Sequence, residues 1–357
     1  MSAASGHAAR FVRWILGPAA LVACGACATS APAPGPPPAP APRAAVPPAP
    51  VPEGPLPEVF ESPDFFVVFA KPGETPATLA QRHLGDAGLA WMIEDYTGKQ
   101  SFAPGEKVVI PRRPWNPSGV TPEGYQIVPI LVYHNIGVEQ KGRMQLAASK
   151  FAQQMRYLKE HGYRVISIKD FLEFVDGQRQ LPRKAVVLSF DDGYQSFREF
   201  AEPVLRQLGF TATLFVYTDY IGAGGNALSW KDLRELRDAG YDVEAHSKTH
   251  GDLRRKPGES EAAYAARMRA ELGAPQALFR QHLGRPATVL AYPYGAWDDG
   301  LLKLLGEYGY QAAFTVRRES NSAFITRGKL HRSQIYGEMS VEEFARNLNV
   351  VHEEPLK

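Results

Sequence analysis

Two adjacent carboxylates, Asp191 and Asp192, end the apolar run Val186-Val187-Leu188-Ser189-Phe190 and are followed by Gly193. The run reads as a buried strand that stops in a reactive turn. Like charges this close raise each other's pKa unless a cation or a donor separates them. Taken alone, Asp-Asp-Gly is an ordinary turn or cap. A second motif changes that reading: His246-Ser247-Lys248-Thr249-His250 follows another apolar stretch, Tyr241 to Ala245. Two histidines four residues apart can aim their imidazoles at one point and hold a metal. With the Asp pair, the chain supplies two His, one carboxylate ligand and one spare carboxylate, the set that metal-assisted hydrolysis requires. One Asp can ligate while the other stays free to act as a base.

These residues must be positioned by the alternating pattern around them. Strands are expected at Ile127 to Tyr133, Tyr163 to Ile168, Ala185 to Phe190, Thr211 to Tyr217, Tyr241 to Ala245, Ala287 to Ala291 and Gln311 to Val316. Helical periodicity fills the gaps at Phe151 to His161, Phe197 to Leu208, Trp230 to Ala239, Ala262 to Leu283 and Leu301 to Tyr308. Repeated strand-helix units imply an α/β fold with a parallel sheet, and about seven of them imply a barrel. Chemistry in such barrels sits at the carboxyl ends of the strands, where both motifs fall.

The combination resembles the polysaccharide deacetylases of carbohydrate esterase family 4, with the NodB-type domain. Ser189-Phe190-Asp191-Asp192-Gly193 is similar to the family's TFDDG, His246 to His250 to its H-[ST]-x-x-H, and Ala291-Tyr292-Pro293-Tyr294-Gly295 to its R-x-P-Y-G. The resemblance covers roughly Gln126 to Val351 and implies a distorted (β/α)7 barrel. It also implies a metal-dependent hydrolase that removes N-acetyl groups from N-acetylglucosamine units of a cell-wall or extracellular polysaccharide and releases acetate. Carried over, Asp192, His246 and His250 would bind a divalent metal, usually Zn²⁺, and Asp191 would be the general base. The backbone N–H of Tyr294 would stabilise the oxyanion, and His331, preceded by Leu330, would be the acid. Ala291 stands where the family has an arginine that tunes the base. What orients Asp191 is therefore open, with Arg332 as one candidate. An Ala at this place is consistent with a branch resembling the poly-N-acetylglucosamine deacetylases.

Other residues could meet substrate. His134 ends the first strand and should lie at the mouth of the site, where it either binds substrate or is satisfied by neighbouring backbone. Tyr292, Tyr294 and Trp297 offer flat faces for sugar rings, whereas Trp230 reads as core. Asp298 and Asp299 should cap the helix that begins near Leu301.

The remainder of the 357 residues organises the chain. Arg10 and Arg13 precede an apolar run, Trp14 to Ala23, too short for a permanent membrane span but suited to export. Leu21-Val22-Ala23-Cys24 resembles a bacterial lipobox, which implies cleavage after residue 23, lipidation of Cys24 and a membrane anchor. Gly25 resembles an outer-membrane address, and so implies the periplasmic face in a Gram-negative cell. Of the 27 residues from Ala31 to Pro57, 13 are Pro, so this stretch is extended with a reach of roughly 80 Å, and the segment 24–63 reads as a tether. Residues 64–112 show a βααβ order, and "PGETPATLAQRH" and "FAPGEKVVIP" resemble the start and close of a LysM module, which implies glycan binding. Ile93-Glu94-Asp95-Tyr96 departs from that pattern. A linker, 113–125, leads into the catalytic domain, 126–357. The formal charge of +2 gives no reason to expect a nucleic-acid partner. Cys24 and Cys27 are the only cysteines, so any metal must be held by His and carboxylates. Two rival readings stay open: an exopolysaccharide such as poly-N-acetylglucosamine in place of peptidoglycan, and a non-catalytic wall-binding lipoprotein.

Overall fold

The structure, a computed structural model, describes residues 59–354. The expected signal segment, Cys24 and nearly all of the tether lie outside the described residues. Among the described residues no helix is long and apolar enough to cross a membrane.

The large domain is built on seven parallel strands: β1 (Ile130–Tyr133), β2 (Ala185–Asp192), β3 (Thr213–Val216), β4 (Asp242–Ala245), β5 (Val289–Ala291), β6 (Ala312–Phe314) and β7 (Ser333–Gln334). Their order is β6-β5-β4-β3-β2-β1-β7, a parallel sheet curled into a barrel. Seven strands were expected, but one of them is different. Tyr163 to Ile168 contributes only Arg164–Val165, which pairs with the first two residues of β2, off the main path. The seventh barrel strand is instead β7, whose two residues pair with Leu131 and Val132 of β1. Just before it, Leu330 bridges to Phe314 of β6, with Leu330 N–H donating to the Ala313 carbonyl at 3.0 Å and Thr315 N–H to the Leu330 carbonyl at 2.7 Å. The segment 330–334 thus joins both edges of the sheet. It is too short and too mixed in polarity to announce itself by periodicity.

Alternation along the strands divides the core in two. Val187, Phe215, Val289, Ala291, Phe314 and Leu330 pack together inside the barrel. Leu188, Phe190, Leu214, Val216, Val243 and Leu290 face the outer helices. On β2 the inward series Val187, Ser189, Asp191 follows from the period of two, so the strand that buries Phe190 outward necessarily aims Asp191 into the barrel. The expected helix from Ala262 to Leu283 is interrupted. It runs as Glu261–Met268, a π-helical turn Arg269–Gly273, and Ala274–Leu283. Such turns shift the side chains that follow out of the regular helical phase.

The small domain has the expected βααβ elements, with strands Phe65–Phe69 and Lys107–Pro111 paired antiparallel and helices Pro76–Leu84 and Ala90–Thr97. A further strand, Val59–Glu61, pairs antiparallel with Phe66 to Val68, so the domain starts inside the segment read as tether and its sheet has three strands. Thr75 and Thr78 form a capping box at the first helix, and Val68, Leu79, Ile93, Val108 and Ile110 fill a separate core. The departing residues Glu94, Asp95 and Tyr96 dock it on the barrel. Arg164 donates to Glu94 at 2.9 Å, the Arg183 N–H to Asp95 at 2.8 Å, and Tyr96 meets Trp115 edge-on at 5.3 Å. Arg164 and Arg183 stand at the start of β2, the end opposite Asp191.

Leu330 is fully buried at the barrel seam. Leu330→Ala should cost about 2–5 kcal/mol, read as a fall in Tm by calorimetry.

Candidate active site

The carboxyl ends of β2, β4 and β5 bring the sequence motifs together. Asp192, His246 and His250 offer ligand atoms that all lie within 4.8 Å of one another. His246 Nε2 is 3.8 Å from Asp192 Oδ1 and from Asp191 Oδ2, and His250 Nε2 is 3.4 Å from Asp192 Oδ1. His246 Nδ1 is 2.8 Å from the carbonyl of Ala291, which can only accept, so Nδ1 carries the proton and Nε2 presents its lone pair. Burial holds His246 down to about 4, so the ring is neutral near pH 7. Burial, with Asp191 beside it, pushes the Asp192 carboxyl up to about 6.

These atoms fit a cation. Asp192 Oδ1 is buried without a hydrogen-bond partner, although two imidazole nitrogens face it. Lone pairs converging with no proton between them repel, and a metal ion at their centre removes the repulsion.

The backbone is bent to suit this convergence. Asp192, Ser247, His250 and Tyr294 are the non-glycine residues with positive φ among those described, and all four belong to the site. Each such conformation costs on the order of 1–3 kcal/mol and persists only where the surroundings enforce it. For the His loop the enforcement is visible. His250 N–H donates to Ser247 Oγ at 3.0 Å, and Glu271 accepts from Lys248 N–H at 3.1 Å, Thr249 N–H at 3.0 Å and the Thr249 hydroxyl at 2.7 Å. Glu271 lies on the π-helical turn. At Gly295, also left-handed, a Cβ would come within 2.6 Å of the Val316 nitrogen, so only glycine lets the Tyr294 turn press against the chain beyond β6.

Asp191 is oriented by Arg332. Its two oxygens accept from the guanidinium at 2.6 and 2.8 Å, with both side chains shut away from water. Arg332 Nε donates to the Thr315 carbonyl at 3.1 Å, and the guanidinium lies 5.1 Å from the Phe215 ring centre. Burial alone would raise the Asp191 pKa, but Arg332 and then His246 outweigh it and hold the carboxyl below its ordinary range. The open question at Ala291 is therefore answered from the seam of the barrel. Ala291 itself supplies the carbonyl that orients His246.

Residues 178–313 match the family described as polysaccharide deacetylase. Over those residues the chain is similar to the polysaccharide deacetylases. YxkH of Bacillus subtilis is 26% identical over 61% of this chain and 74% of its own length. A poly-beta-1,6-N-acetyl-D-glucosamine N-deacetylase of Staphylococcus epidermidis is 28% identical over 48% of the chain, which spans 61% of that protein. Among solved structures, IcaB from Ammonifex degensii superposes with a TM-score of 0.55 at 25% identity, covering 63% of this chain and 97% of that one. The Streptococcus pyogenes deacetylase PplD, at 24% identity and a TM-score of 0.56, covers 62% and 98% and shares the fold.

Not every expected residue reaches this site. His331 is next to Arg332, and alternation turns it outward. It sits 3.3 Å from Glu319 and lines a separate cavity of about 500 Å³ with Tyr125, Arg318 and His352. A leucine directly before a histidine, as at Leu330-His331, does not show which of two neighbours faces inward. Tyr292 is fully buried, its hydroxyl donating to the Gly328 carbonyl at 3.0 Å, and cannot stack on a sugar. Trp297 packs partly into the outer core with Lys329 at 4.1 Å over its ring. Trp230 packs on Phe279 and His282, as expected of core. Asp298 caps Asp299–Leu304 by accepting from Leu301 N–H at 2.8 Å. His134 does reach the site: it is half-buried at the end of β1 and feels the charges of Asp191, Asp192 and Arg332, its pKa lowered by burial. Tyr294 meets the His250 ring edge-on at 4.8 Å.

Arg332→Gln removes the charge that keeps Asp191 ionised. The acidic limb of the pH–rate profile should then move to higher pH and kcat/KM should fall about 100-fold, with Arg332→Lys intermediate because an ammonium cannot bridge both oxygens. Glu271→Ala should weaken binding of a divalent metal ion about tenfold, measured by titration calorimetry.

Proposed function

We propose that this chain hydrolyses acetamide groups of an N-acetylglucosamine polymer and releases acetate. One observation carries the reading: Asp191 is held as a carboxylate by Arg332 beside a ligand set that it does not join. Asp192, His246 and His250 would hold the metal, Zn²⁺ being suited to two imidazoles and a carboxylate. When bound, such a cation supplies Lewis-acid polarisation of the acetamide carbonyl and makes water a stronger acid.

The chain's own residues account for the protons. Asp191 takes one from water as the new C–O bond forms. The Tyr294 backbone N–H is the proposed donor to the oxyanion. The amine must gain a proton as the C–N bond breaks, and His134 replaces His331 as the proposed acid because it lies among the charged groups of the site. The staphylococcal relative's name favours poly-N-acetylglucosamine as the polymer. Peptidoglycan is the second reading, favoured by the βααβ module with its LysM-like sequence. Export, lipidation at Cys24 and placement at the periplasmic face of the outer membrane belong to the same proposal and rest on the amino-terminal sequence.

Acetate release from poly-N-acetylglucosamine and from peptidoglycan, compared side by side with purified protein, tests the reading. Asp191→Asn should abolish release and keep Zn²⁺ binding, whereas His246→Ala should lose both. His134→Ala should lower kcat by about 10²–10⁴-fold and His331→Ala should stay near wild type. Full activity in both Asp191→Asn and His246→Ala would refute the site.

A further inference from the structure

The rings facing the donor set form a continuous arc. Tyr194 meets Tyr220 edge-on at 5.7 Å, Tyr220 stacks on Tyr217 at 5.2 Å with 18° between planes, Tyr217 lies 5.2 Å from His250, and His250 meets Tyr294 at 4.8 Å. Tyr194, Tyr217 and Tyr220 are partly exposed, and all three hydroxyls feel the Asp192 carboxylate. They come from two different connections, after β2 and after β3, yet converge on one side chain.

Both connections are fastened. The turn 217–220 closes by a bond from Tyr220 N–H to the Tyr217 carbonyl at 3.1 Å. It is tied to the ligand loop through Thr218 N–H to the Ser247 carbonyl at 3.2 Å and Asp219 N–H to the Lys248 carbonyl at 3.0 Å. Lys248 Nζ adds bonds of 2.8 and 2.7 Å to the Asp219 carboxylate. Around Tyr194, Gln195 N–H donates to the Asn226 carbonyl at 2.8 Å and Leu228 N–H to the Gly193 carbonyl at 2.9 Å. The rings are thus set before any ligand arrives, and a tyrosine with two side-chain torsions loses little entropy on contact. Lys248, the cation on this rim, is already neutralised by Asp219, so the arc offers flat apolar faces edged with phenol hydroxyls. A pyranose, with one C–H face and a hydroxyl rim, complements such a surface.

We propose that Tyr217 and Tyr220 form a platform on which the sugar next to the reacting N-acetylhexosamine stacks, so that they select polymer over monomer. The proposal rests on the deacetylase reading for which sugar is the reacting one. The test is titration calorimetry of N-acetylglucosamine pentamer and monomer in an Asp191→Asn background, alongside acetate release by the otherwise unaltered chain. Tyr220→Ala should weaken pentamer binding about tenfold and monomer binding by less than twofold, and Tyr220→Phe should retain pentamer affinity because the ring, not the hydroxyl, does the stacking. In turnover, the loss should fall on KM rather than kcat. Unchanged pentamer affinity in Tyr220→Ala, an equal loss for the monomer, or Tyr220→Phe as weak as Tyr220→Ala would overturn the platform. Pentamer binding that behaves as expected, with no acetate released by the unaltered chain, would support the platform and overturn the deacetylase reading.

Discussion

A carboxylate and a guanidinium with no access to water hold each other's charge inside the barrel, and the site takes its form from that pair. Burying two ions costs several kcal/mol each unless every donor and acceptor is met. Here the bidentate Asp191–Arg332 contact, the Thr315 carbonyl and the Phe215 face meet them. The pair also joins the end of β2 to the segment that closes the sheet, so barrel closure and the ionisation of Asp191 are one constraint. Removing either partner leaves an unpaired buried charge, a cost of about 3–5 kcal/mol, in addition to any loss of chemistry.

Around this pair the chain adopts backbone it would otherwise avoid. Left-handed φ at Asp192, Ser247, His250 and Tyr294 aims ligand atoms inward from three strand ends, and the fastening groups are mostly backbone carbonyls and the single carboxylate of Glu271. The loop from His246 to His250 is held in place by residues that stand apart from its imidazole nitrogens.

The sequence shows these parts unequally. Strand periodicity and the Asp-Asp and His-x-x-x-His spacings locate the ligands, because both follow from local rules that hold wherever the chain folds. Arg332 was one candidate among the open possibilities, since its role depends on a two-residue strand that periodicity cannot register. His331 was misassigned for the same reason: neighbouring positions on a strand face opposite ways, and nothing local fixes the phase of so short a strand. Glu271 left no trace because its reach depends on a π-helical turn inside what reads as one continuous helix. Tyr217 and Tyr220 look like ordinary strand-end aromatics until their turn is seen tied to the His loop.

One strand also sets a distance. The eight residues of β2 run from the docking point of the small domain to the Asp pair, a span of about 25 Å. The small domain therefore meets the barrel at the end opposite the Asp pair. Glu94 and Asp95 tie that domain to the barrel by specific bonds. The two ends of one strand thus carry separate surfaces, and a change at the docking face lies about 25 Å from the Asp pair.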